Sequence, residues 1–561
     1  MTLKIHKSVF SALALVVLLF SAAPPALADS GEKTLSPQLC DRIEQIYQQK
    51  KLEIHGEEIA ALQLIPQFYS RRDFTLAWLN ERNIEELLAA IDASTDEGLI
   101  PGDYHQDSLR EMFDLYHTGR MPTCERADFD ILLTDALIRL GYHYLYGKVD
   151  PKRLDSHWNL KRELSGDDPV QLLQASIDAD SLSAVLQQLL PNSPFYQEMK
   201  AALSRYREFQ VKGGWPSIPE GPSIKPGMQD ARLESVRQRL AVTGDLQNPV
   251  SDDPAYYNDG LQEAVISFQE RHILDADGII GKSTLAAMNL PVSDRINQIR
   301  VNLERARWIY RNLPSEFLVT DIAGFRASLI RNGQVVWESV VQVGKPYRAT
   351  PIFQDSLQYL EFNPTWTVPP TILQKDILPK LRKDPSYLQQ KNMAVIDSKG
   401  AAIDPSGIDW STVTSKNFPY MLRQKPGPEN ALGRVKFMFP NKHLVYLHDT
   451  PYKSGFKHAE RAFSSGCIRV EKPFELAEIL LNDPQNWSRE KIEQTIEAGQ
   501  TKSVPLKTKL PVFLLYWTVG AKDGRFYFKP DVYSRDAAVL AALDGEFRLD
   551  LPENMPDWYE K

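Results

Sequence analysis

A histidine and a cysteine nineteen residues apart are the side chains best suited to carry chemistry. His448 is followed by Asp449, and Cys467 follows Ser465 and Gly466. A thiol becomes a nucleophile when a nearby base or cation favours its thiolate, and a glycine beside it lets backbone N–H groups approach a developing oxyanion. These residue types in this order fit a catalytic cysteine. The alternative is a buried free cysteine and an unrelated surface histidine.

Metal binding is a third interpretation of the histidines and acids. His443 and His448 are five residues apart on one predicted strand, so their side chains face opposite sides and do not share an ion. An upstream segment that begins at Asp275 resembles the start of a calcium loop, but Ala286 stands where an EF-hand needs Glu. We therefore expect neither a metal nor a cofactor.

Strands are predicted to position the His448–Cys467 pair. Asn332-Gly333 separates two runs rich in β-branched residues, which indicates a β-hairpin. A second hairpin is predicted from residues 435–439 and 444–447, so that His448 ends a strand and faces a cleft. Residues 371–432 interrupt these strands with many prolines and little periodicity. An insertion of this length is usually functional or disordered.

The rest of the chain is predicted to be helical. Residues 84–91 carry apolar side chains at i, i+3, i+4 and i+7, and helical patterns continue to about residue 210. A stretch rich in Gly and Pro from Gly213 to Gly227 marks a domain boundary. A compact helical unit follows over residues 235–290. The predicted fold class is α+β and multidomain: a helical N-terminal domain, a small helical domain and a mainly-β C-terminal domain.

Composition and the N-terminus restrict the functional classes. The 561 residues are 43% apolar and 25% charged, which is ordinary for a globular protein, and the net charge of -8 argues against a nucleic-acid partner. Lys4 and Lys7 precede an apolar run over residues 9–20 and an Ala26-Leu27-Ala28 sequence. This order predicts a secretory signal peptide cut after Ala28, with an uncleaved membrane anchor as the alternative.

Two cysteines remain besides Cys467. Cys40 and Cys124 lie in the helical region and either form a disulfide in an oxidising compartment or stay separate buried thiols. Spacing in the sequence does not reveal whether their Cα atoms are close enough for a bond.

The segment HDTPYKSGFKHAERAFSSGCIRV resembles the active-site segment of the L,D-transpeptidases, the YkuD-type catalytic domain. Ser465 replaces the second histidine of the family motif, as is usual in the large multidomain branch to which the chain is similar over most of its mature length. The segments YRATPIF, FNPTWTVPP and GRVKFMFPNKHLVYLHDTP also fit this branch, and FQERHILDADGIIGKSTLAAMN resembles a peptidoglycan-binding module. The resemblance implies these segments: signal peptide 1–28, helical scaffold 29–225, peptidoglycan-binding domain 226–295, and catalytic domain 296–555 with a capping insertion 371–432.

The resemblance also implies a mechanism. Cys467 is the nucleophile that attacks the carbonyl between the L-centre of diaminopimelate and the terminal D-Ala of a tetrapeptide stem. His448 is the general base, and a backbone carbonyl near Asp449 is expected to orient it, with the Asp449 carboxylate as the less favoured alternative. Backbone N–H groups of Gly466 and Cys467 hold the oxyanion. The amine of a second diaminopimelate then resolves the thioester into a 3→3 crosslink.

Five further side chains are predicted to contact substrate. Arg469 either pairs with a substrate carboxylate or forms a structural salt bridge. Trp366 either walls the cleft or belongs to the core. Tyr452 and Phe456, in the loop between His448 and Cys467, are predicted to close over the site, with Ser465 beside the nucleophile.

The expected partners are peptidoglycan stem peptides, as donor and acceptor, with other wall enzymes as further candidates. The expected location is the periplasm of a Gram-negative bacterium, and Cys467 is the expected target of carbapenems. Because nothing in the sequence fixes the acceptor, an L,D-carboxypeptidase or a transferase to another amine stays open. A wall-binding scaffold with a dead catalytic domain is disfavoured, because both His448 and Cys467 are present.

Overall fold

This computed structural model describes residues 36–160, 168–179, 181–311, 313–414, 416–522, 524–547 and 549. The predicted signal peptide lies outside the described residues. Helices dominate the first half of the described chain and strands the second, which confirms the predicted α+β fold class. Among the helices described, none combines the length and the apolar character that a membrane crossing requires.

The N-terminal region is a helical bundle around one long buried helix. Six of its nine described helices begin where a Ser, Asn or Asp side chain caps them, often with Pro in the first turn, as at Ser36, Asp168 and Ser193. The central helix is buried along almost its whole length, so the other helices pack around it. The helices of this region are α1 (Pro37–Gln49), α2 (Leu64–Ser70), α3 (Glu81–Ala93), α4 (Gln106–His117), α5 (Arg126–Tyr146, the central helix), α6 (Pro151–Leu154), α7 (Pro169–Ile177), α8 (Leu182–Leu189) and α9 (Pro194–Val211). A two-stranded hairpin, β1 (Glu53–Ile54) and β2 (Glu57–Glu58), lies beside them.

A small helical unit with its own core follows. It consists of α10 (Leu233–Val242), α11 (Asp259–Arg271) and α12 (Lys282–Asn289), and its apolar cluster is separate from the main core of the protein. The long helix α13 (Val292–Ile309) comes next and packs chiefly against α9. It runs without a break across residue 295, where the sequence suggested a domain boundary.

The C-terminal region is built on one large sheet. Its strands are β3 (Glu316–Asp321), β4 (Arg326–Arg331), β5 (Gln334–Gly344), β6 (Phe353–Phe362), β11 (Val435–Met438), β12 (Leu447–His448), β13 (Ala462–Ser464), β14 (Ile468–Val470) and β15 (Lys502–Leu515). Their order is β13-β5-β14-β12-β11-β6-β15-β3-β4, and β4 also pairs with β5. The pairings therefore return to β5 and close a ring. Helices α17 (Pro473–Leu481), α18 (Arg489–Glu497) and α19 (Asp536–Asp544) and the hairpin β16 (Val519–Lys522) and β17 (Arg525–Phe528) complete the region.

Both predicted hairpins are present. Asn332 and Gly333 have φ values of 51° and 77° in the turn that joins β4 to β5, as an Asn-Gly hairpin requires. The second hairpin pairs β11 with β12, but β12 begins only at Leu447. The reason is that the Asn441 side chain bonds the backbone of its own loop and Leu444 adopts a φ of 55°.

The insertion between β6 and β11 folds as a subdomain with its own core. Its sheet has the order β7-β10-β8-β9, and an apolar cluster that includes Leu381 and Leu422 lies beneath it. The elements are β7 (Trp366–Thr367), α14 (Pro370–Ile372), a π-helical turn (Leu373–Ile377), α15 (Leu378–Lys383), α16 (Tyr387–Gln390), β8 (Met393–Ile396), β9 (Ala402–Ile403) and β10 (Met421–Gln424). The sequence left open whether this insertion is functional or disordered. Its described residues are folded, so the expectation of disorder is wrong for them.

Candidate active site

The register of four strands gathers polar side chains on one face of the large sheet. His448 on β12 lies opposite Arg469 on β14 and Lys436 on β11, and Arg469 lies opposite Gln342 on β5. Side chains of directly paired residues point to the same face. Cys467 lies two residues before Arg469, so its side chain also points to this face. The strand register thus places the predicted pair on one face of the sheet.

The loop of the nucleophile is held by two hydroxyl groups. Ser464 donates to the carbonyl of Cys467 at 2.6 Å, and Thr350 donates to the carbonyl of Gly466 at 2.8 Å. Gly466 has a φ of 115°, which only glycine adopts easily, so the bend before Cys467 depends on this residue. The half-buried thiol of Cys467 lies 3.7 Å from the carbonyl oxygen of Leu444.

The structure of this loop does not agree with the predicted role of the Gly466 N–H as an oxyanion donor. The backbone N–H of Gly466 donates to the Ser464 hydroxyl at 3.1 Å. That amide already has a partner within its own loop, so it is not a free oxyanion donor. The prediction failed here because it treated the glycine as open backbone and gave Ser464 no role.

His448 is oriented through the backbone of Asp449. Its Nδ1 lies 2.5 Å from the Asp449 carbonyl oxygen, and a carbonyl only accepts, so Nδ1 carries the proton. The Asp449 carboxylate instead accepts from the Arg434 N–H at 2.9 Å and from Lys453 Nζ at 2.5 Å. The imidazole is therefore fixed in the tautomer whose Nε2 accepts a proton, which is the form a general base needs.

Burial keeps both partners of the pair uncharged. Burial, with Arg469 and Lys436 adding to it, lowers the pKa of His448 to about 3. Burial raises the pKa of the Cys467 thiol above its ordinary value, although Lys436 and Arg469 oppose this shift. At neutral pH the resting pair is a thiol and a neutral imidazole rather than a thiolate and an imidazolium.

Arg469 has no acidic partner in the described part of the chain. Its Nη1 donates to the Gln342 amide oxygen at 3.2 Å, and its buried Nε has no partner among the described residues. Burial lowers the pKa of this guanidinium. The structural salt bridge considered for Arg469 is therefore wrong, and a cation next to the nucleophile is left for a bound anion.

The other predicted contact residues divide into two groups. Ser465 is exposed and accepts a hydrogen bond from Arg348 Nη1 at 2.8 Å, and Tyr452 is 45% exposed. Phe456 is buried and Trp366 packs on the core of the insertion. Trp366 is only half-buried, so its ring packs on that core without being enclosed by it, and the substrate contacts predicted for both residues stay predictions.

Several site residues were missed by sequence reasoning. Lys436 is half-buried with Nζ 3.9 Å from the centre of the Tyr446 ring, and burial lowers its pKa. Its position opposite His448 follows from the second hairpin, so the pairing register was the available signal. Thr350 and Arg348 carried no such signal, because they reach the nucleophile loop from more than a hundred residues away.

The remaining two cysteines are free. Cys40 is half-buried and Cys124 is exposed, and no disulfide joins them. The predicted bridge is therefore not formed in this structure, and the alternative of two buried thiols is wrong as well.

Comparison with protein families divides the chain into three matched parts. Residues 63–203 match a scaffold domain, residues 229–288 a family described as "Putative peptidoglycan binding domain", and residues 315–503 the L,D-transpeptidase catalytic domain. A Haemophilus influenzae protein named "Putative L,D-transpeptidase" is 33% identical over 298 residues, which are 51% of this chain and 60% of the relative. The alignment thus spans less than two thirds of that relative's length.

Solved structures of L,D-transpeptidases are also similar in part. An L,D-transpeptidase from Mycobacterium smegmatis is 14% identical to this chain. The match covers 36% of this chain and 58% of the M. smegmatis chain, with a TM-score of 0.17. Residues 123–326 of one from Xylanimonas cellulosilytica are 13% identical, with coverage of 53% and 99% and a TM-score of 0.17. Similarity at this TM-score carries no weight for the fold.

Proposed function

We propose that this chain, which carries an L,D-transpeptidase catalytic domain together with a peptidoglycan-binding domain and a scaffold domain, forms 3→3 crosslinks in peptidoglycan. The donor is a stem tetrapeptide that ends in diaminopimelate and D-Ala. The acceptor is the side-chain amine of a diaminopimelate in a second stem.

One observation carries this proposal. The parallel pairing of β12 with β14 sets His448 and Cys467 on one face, and the Asp449 carbonyl fixes the imidazole with Nε2 free to accept a proton. A thiol beside an oriented base is the arrangement that nucleophilic acyl transfer needs.

In the first half-reaction, the Cys467 sulfur attacks the carbonyl carbon of the bond between diaminopimelate and D-Ala. His448 Nε2 takes the thiol proton and then delivers it to the departing D-Ala amine. The C–N bond breaks, a thioester forms, and D-Ala leaves. Because the resting pair is neutral, the proton moves during the attack and the base is ready at neutral pH.

In the second half-reaction, the acceptor amine attacks the thioester carbonyl. His448 removes the proton that the amine loses and returns it to the Cys467 sulfur as the C–S bond breaks. A new amide joins the two stems and the enzyme is regenerated. Arg469, whose guanidinium has no acidic partner in the described chain, binds a stem carboxylate near the reacting bond.

The acceptor distinguishes this function from its alternatives. If water were the acceptor, the protein would be an L,D-carboxypeptidase, and another amine would make it a transferase that attaches a second molecule to the wall. The predicted signal sequence and the peptidoglycan-binding domain support activity in the periplasm of a Gram-negative bacterium.

Product analysis tests the proposal. The full chain is incubated with disaccharide-tetrapeptides, and the products are identified by mass spectrometry. We expect a dimer that lacks one D-Ala. Disaccharide-tripeptide as the sole product would establish hydrolysis instead, and absence of any product, together with no carbapenem adduct on Cys467, would refute the enzymatic proposal.

A further inference from the structure

One arginine connects the insertion to the loop of the nucleophile. Arg348 Nη1 donates to Asp376 Oδ2 at 2.6 Å and to Ser465 Oγ at 2.8 Å. Asp376 lies in the π-helical turn of the insertion, and Ser465 precedes Cys467 by two residues. A single guanidinium therefore contacts a carboxylate of the insertion and the loop that carries the thiol.

The backbone around Arg348 is fixed against the nucleophile loop. A Cβ on Gly344 would lie 2.1 Å from the Arg348 carbonyl oxygen, so the turn after β5 closes too tightly for any side chain there. The Thr350 hydroxyl accepts from the Gly344 N–H at 3.0 Å and donates to the Gly466 carbonyl at 2.8 Å. Arg348 is thus held in place whether or not Asp376 is bound to it.

The partner on the insertion is easier to displace. The Asp376 side chain is 41% exposed, and an ion pair with an exposed member contributes little net free energy. The turn that carries it is π-helical, a rare geometry that is frequent at functional sites. A guanidinium is also the cation best matched to carboxylates, because its N–H groups fit both oxygens.

We propose that Arg348 is a carboxylate-binding subsite beside the nucleophile and that Asp376 occupies it until a carboxylate of the peptide stem takes its place. The proposal rests on the proposed function. It identifies a carboxylate of the peptide stem as the feature of the substrate that Arg348 binds. Displacement of Asp376 breaks this contact between the insertion and the nucleophile loop, so substrate binding and release of the insertion are coupled.

Binding measurements without turnover test the subsite. The full chain carries Cys467→Ala, and calorimetry compares a stem tetrapeptide with free carboxylates to the same peptide with its carboxylates amidated. We expect Asp376→Asn to lower the Kd of the free-carboxylate peptide by up to about fivefold and to leave the amidated peptide unchanged. Asp384→Asn is the matched control, because this aspartate of the insertion bonds only nearby groups such as Ser386, and it should change neither Kd.

A second variant closes the thermodynamic cycle. Arg348→Gln should raise the Kd of the free-carboxylate peptide by about tenfold, and adding Asp376→Asn to it should then have no effect. Arg348→Lys, which keeps the charge, replaces it if circular dichroism shows that the Gln variant is unfolded. The subsite is refuted if Asp376→Asn leaves the Kd unchanged, or if it tightens the amidated peptide equally. Because binding needs no acyl transfer, the absence of crosslinked product would refute only the proposed function.

Discussion

Two buried histidines in different regions of the molecule have opposite electrostatic environments. In the helical region, the ring nitrogens of His105 lie 2.9 Å from Asp135 and 2.9 Å from Glu57. Burial alone would lower the pKa of His105, but these two carboxylates outweigh it and raise the pKa. At the candidate active site, the neighbours of His448 are the backbone carbonyls of Asp449 and Leu432 and two cations, and burial together with the cations lowers its pKa to about 3.

The comparison shows what separates a structural histidine from a reactive one. Both ring nitrogens of His105 are occupied, so this imidazole has no lone pair for chemistry and joins β2 and α5 as a cation. His448 has one nitrogen fixed and the other able to accept a proton. Burial is the same for both side chains, and the charge of the neighbours decides the role.

The largest effect is expected at the reactive histidine. His448→Gln removes the base but keeps a side chain of similar size, so kcat should fall by about 10²–10⁴-fold while the melting temperature changes little. Steady-state assays of crosslink formation and a thermal melt measure the two quantities. Retention of more than a tenth of the wild-type kcat would remove His448 from the mechanism.

Substitution of His105 should lower the stability of the protein and leave its kcat unchanged, the reverse of the effect expected for His448. His105→Asn leaves the buried Asp135 with fewer partners, and breaking a buried ion pair costs about 3–5 kcal/mol of unfolding free energy. The kcat of the folded protein should stay unchanged. His117→Asn is the control, because His117 pairs with Glu81 at the surface, and it should not move the denaturation midpoint measurably. A loss of kcat in folded His105→Asn would contradict the division of roles.

The two histidines should also give stability an opposite dependence on pH. The pKa of His105 is raised in the folded protein, so its contribution is complete below the ordinary pKa of about 6.5 and is lost as the pH rises through the folded pKa. The pKa of His448 is lowered, so its neutral form costs stability only as the pH falls below about 6.5.

Urea unfolding of wild type and His105→Asn between pH 5 and pH 9 measures this difference. The difference in unfolding free energy between wild type and His105→Asn should be smaller at pH 9 than at pH 5. It should decrease by about 1.4 kcal/mol for each pH unit by which folding raises the pKa of His105. If this difference in unfolding free energy increased with pH instead, His105 would be neutral in the folded protein.

A smaller effect is expected at the cations beside the thiol. Because the pKa of Cys467 is raised and His448 is neutral, alkylation of Cys467 by iodoacetamide should accelerate with pH throughout the range from 6 to 9. Lys436→Met removes a cation that favours the thiolate, so the rate at each pH should fall by a few-fold. A rate that is constant across this range would indicate a preformed thiolate–imidazolium pair.

Sequence reasoning reached the reacting pair but only part of its surroundings. The Asn-Gly turn and the strand-like runs predicted the hairpins, because turn chemistry is local. The segment around Cys467 predicts the nucleophile through its resemblance to a known family, and the Asp449 carbonyl does contact His448 Nδ1, as that resemblance implied.

The failures came from loop geometry and from contacts between distant parts of the chain. Trp366 is half-buried against the core of the insertion and Phe456 is buried, and local sequence does not show the burial of either ring. The Gly466 amide is occupied by a serine two residues away, and Arg348 and Thr350 reach the site from a turn after another strand. These contacts became visible only with strand register and tertiary structure.

The central claim is that Cys467 forms a thioester with the aid of a neutral His448. Intact-protein mass spectrometry after brief incubation with a stem tetrapeptide, in the absence of acceptor, tests it directly. We predict an increase equal to the peptide minus D-Ala, located on the peptide that contains Cys467, and no such increase in His448→Gln on the same time scale. An adduct on another residue, or equal acylation of both proteins, would contradict the account.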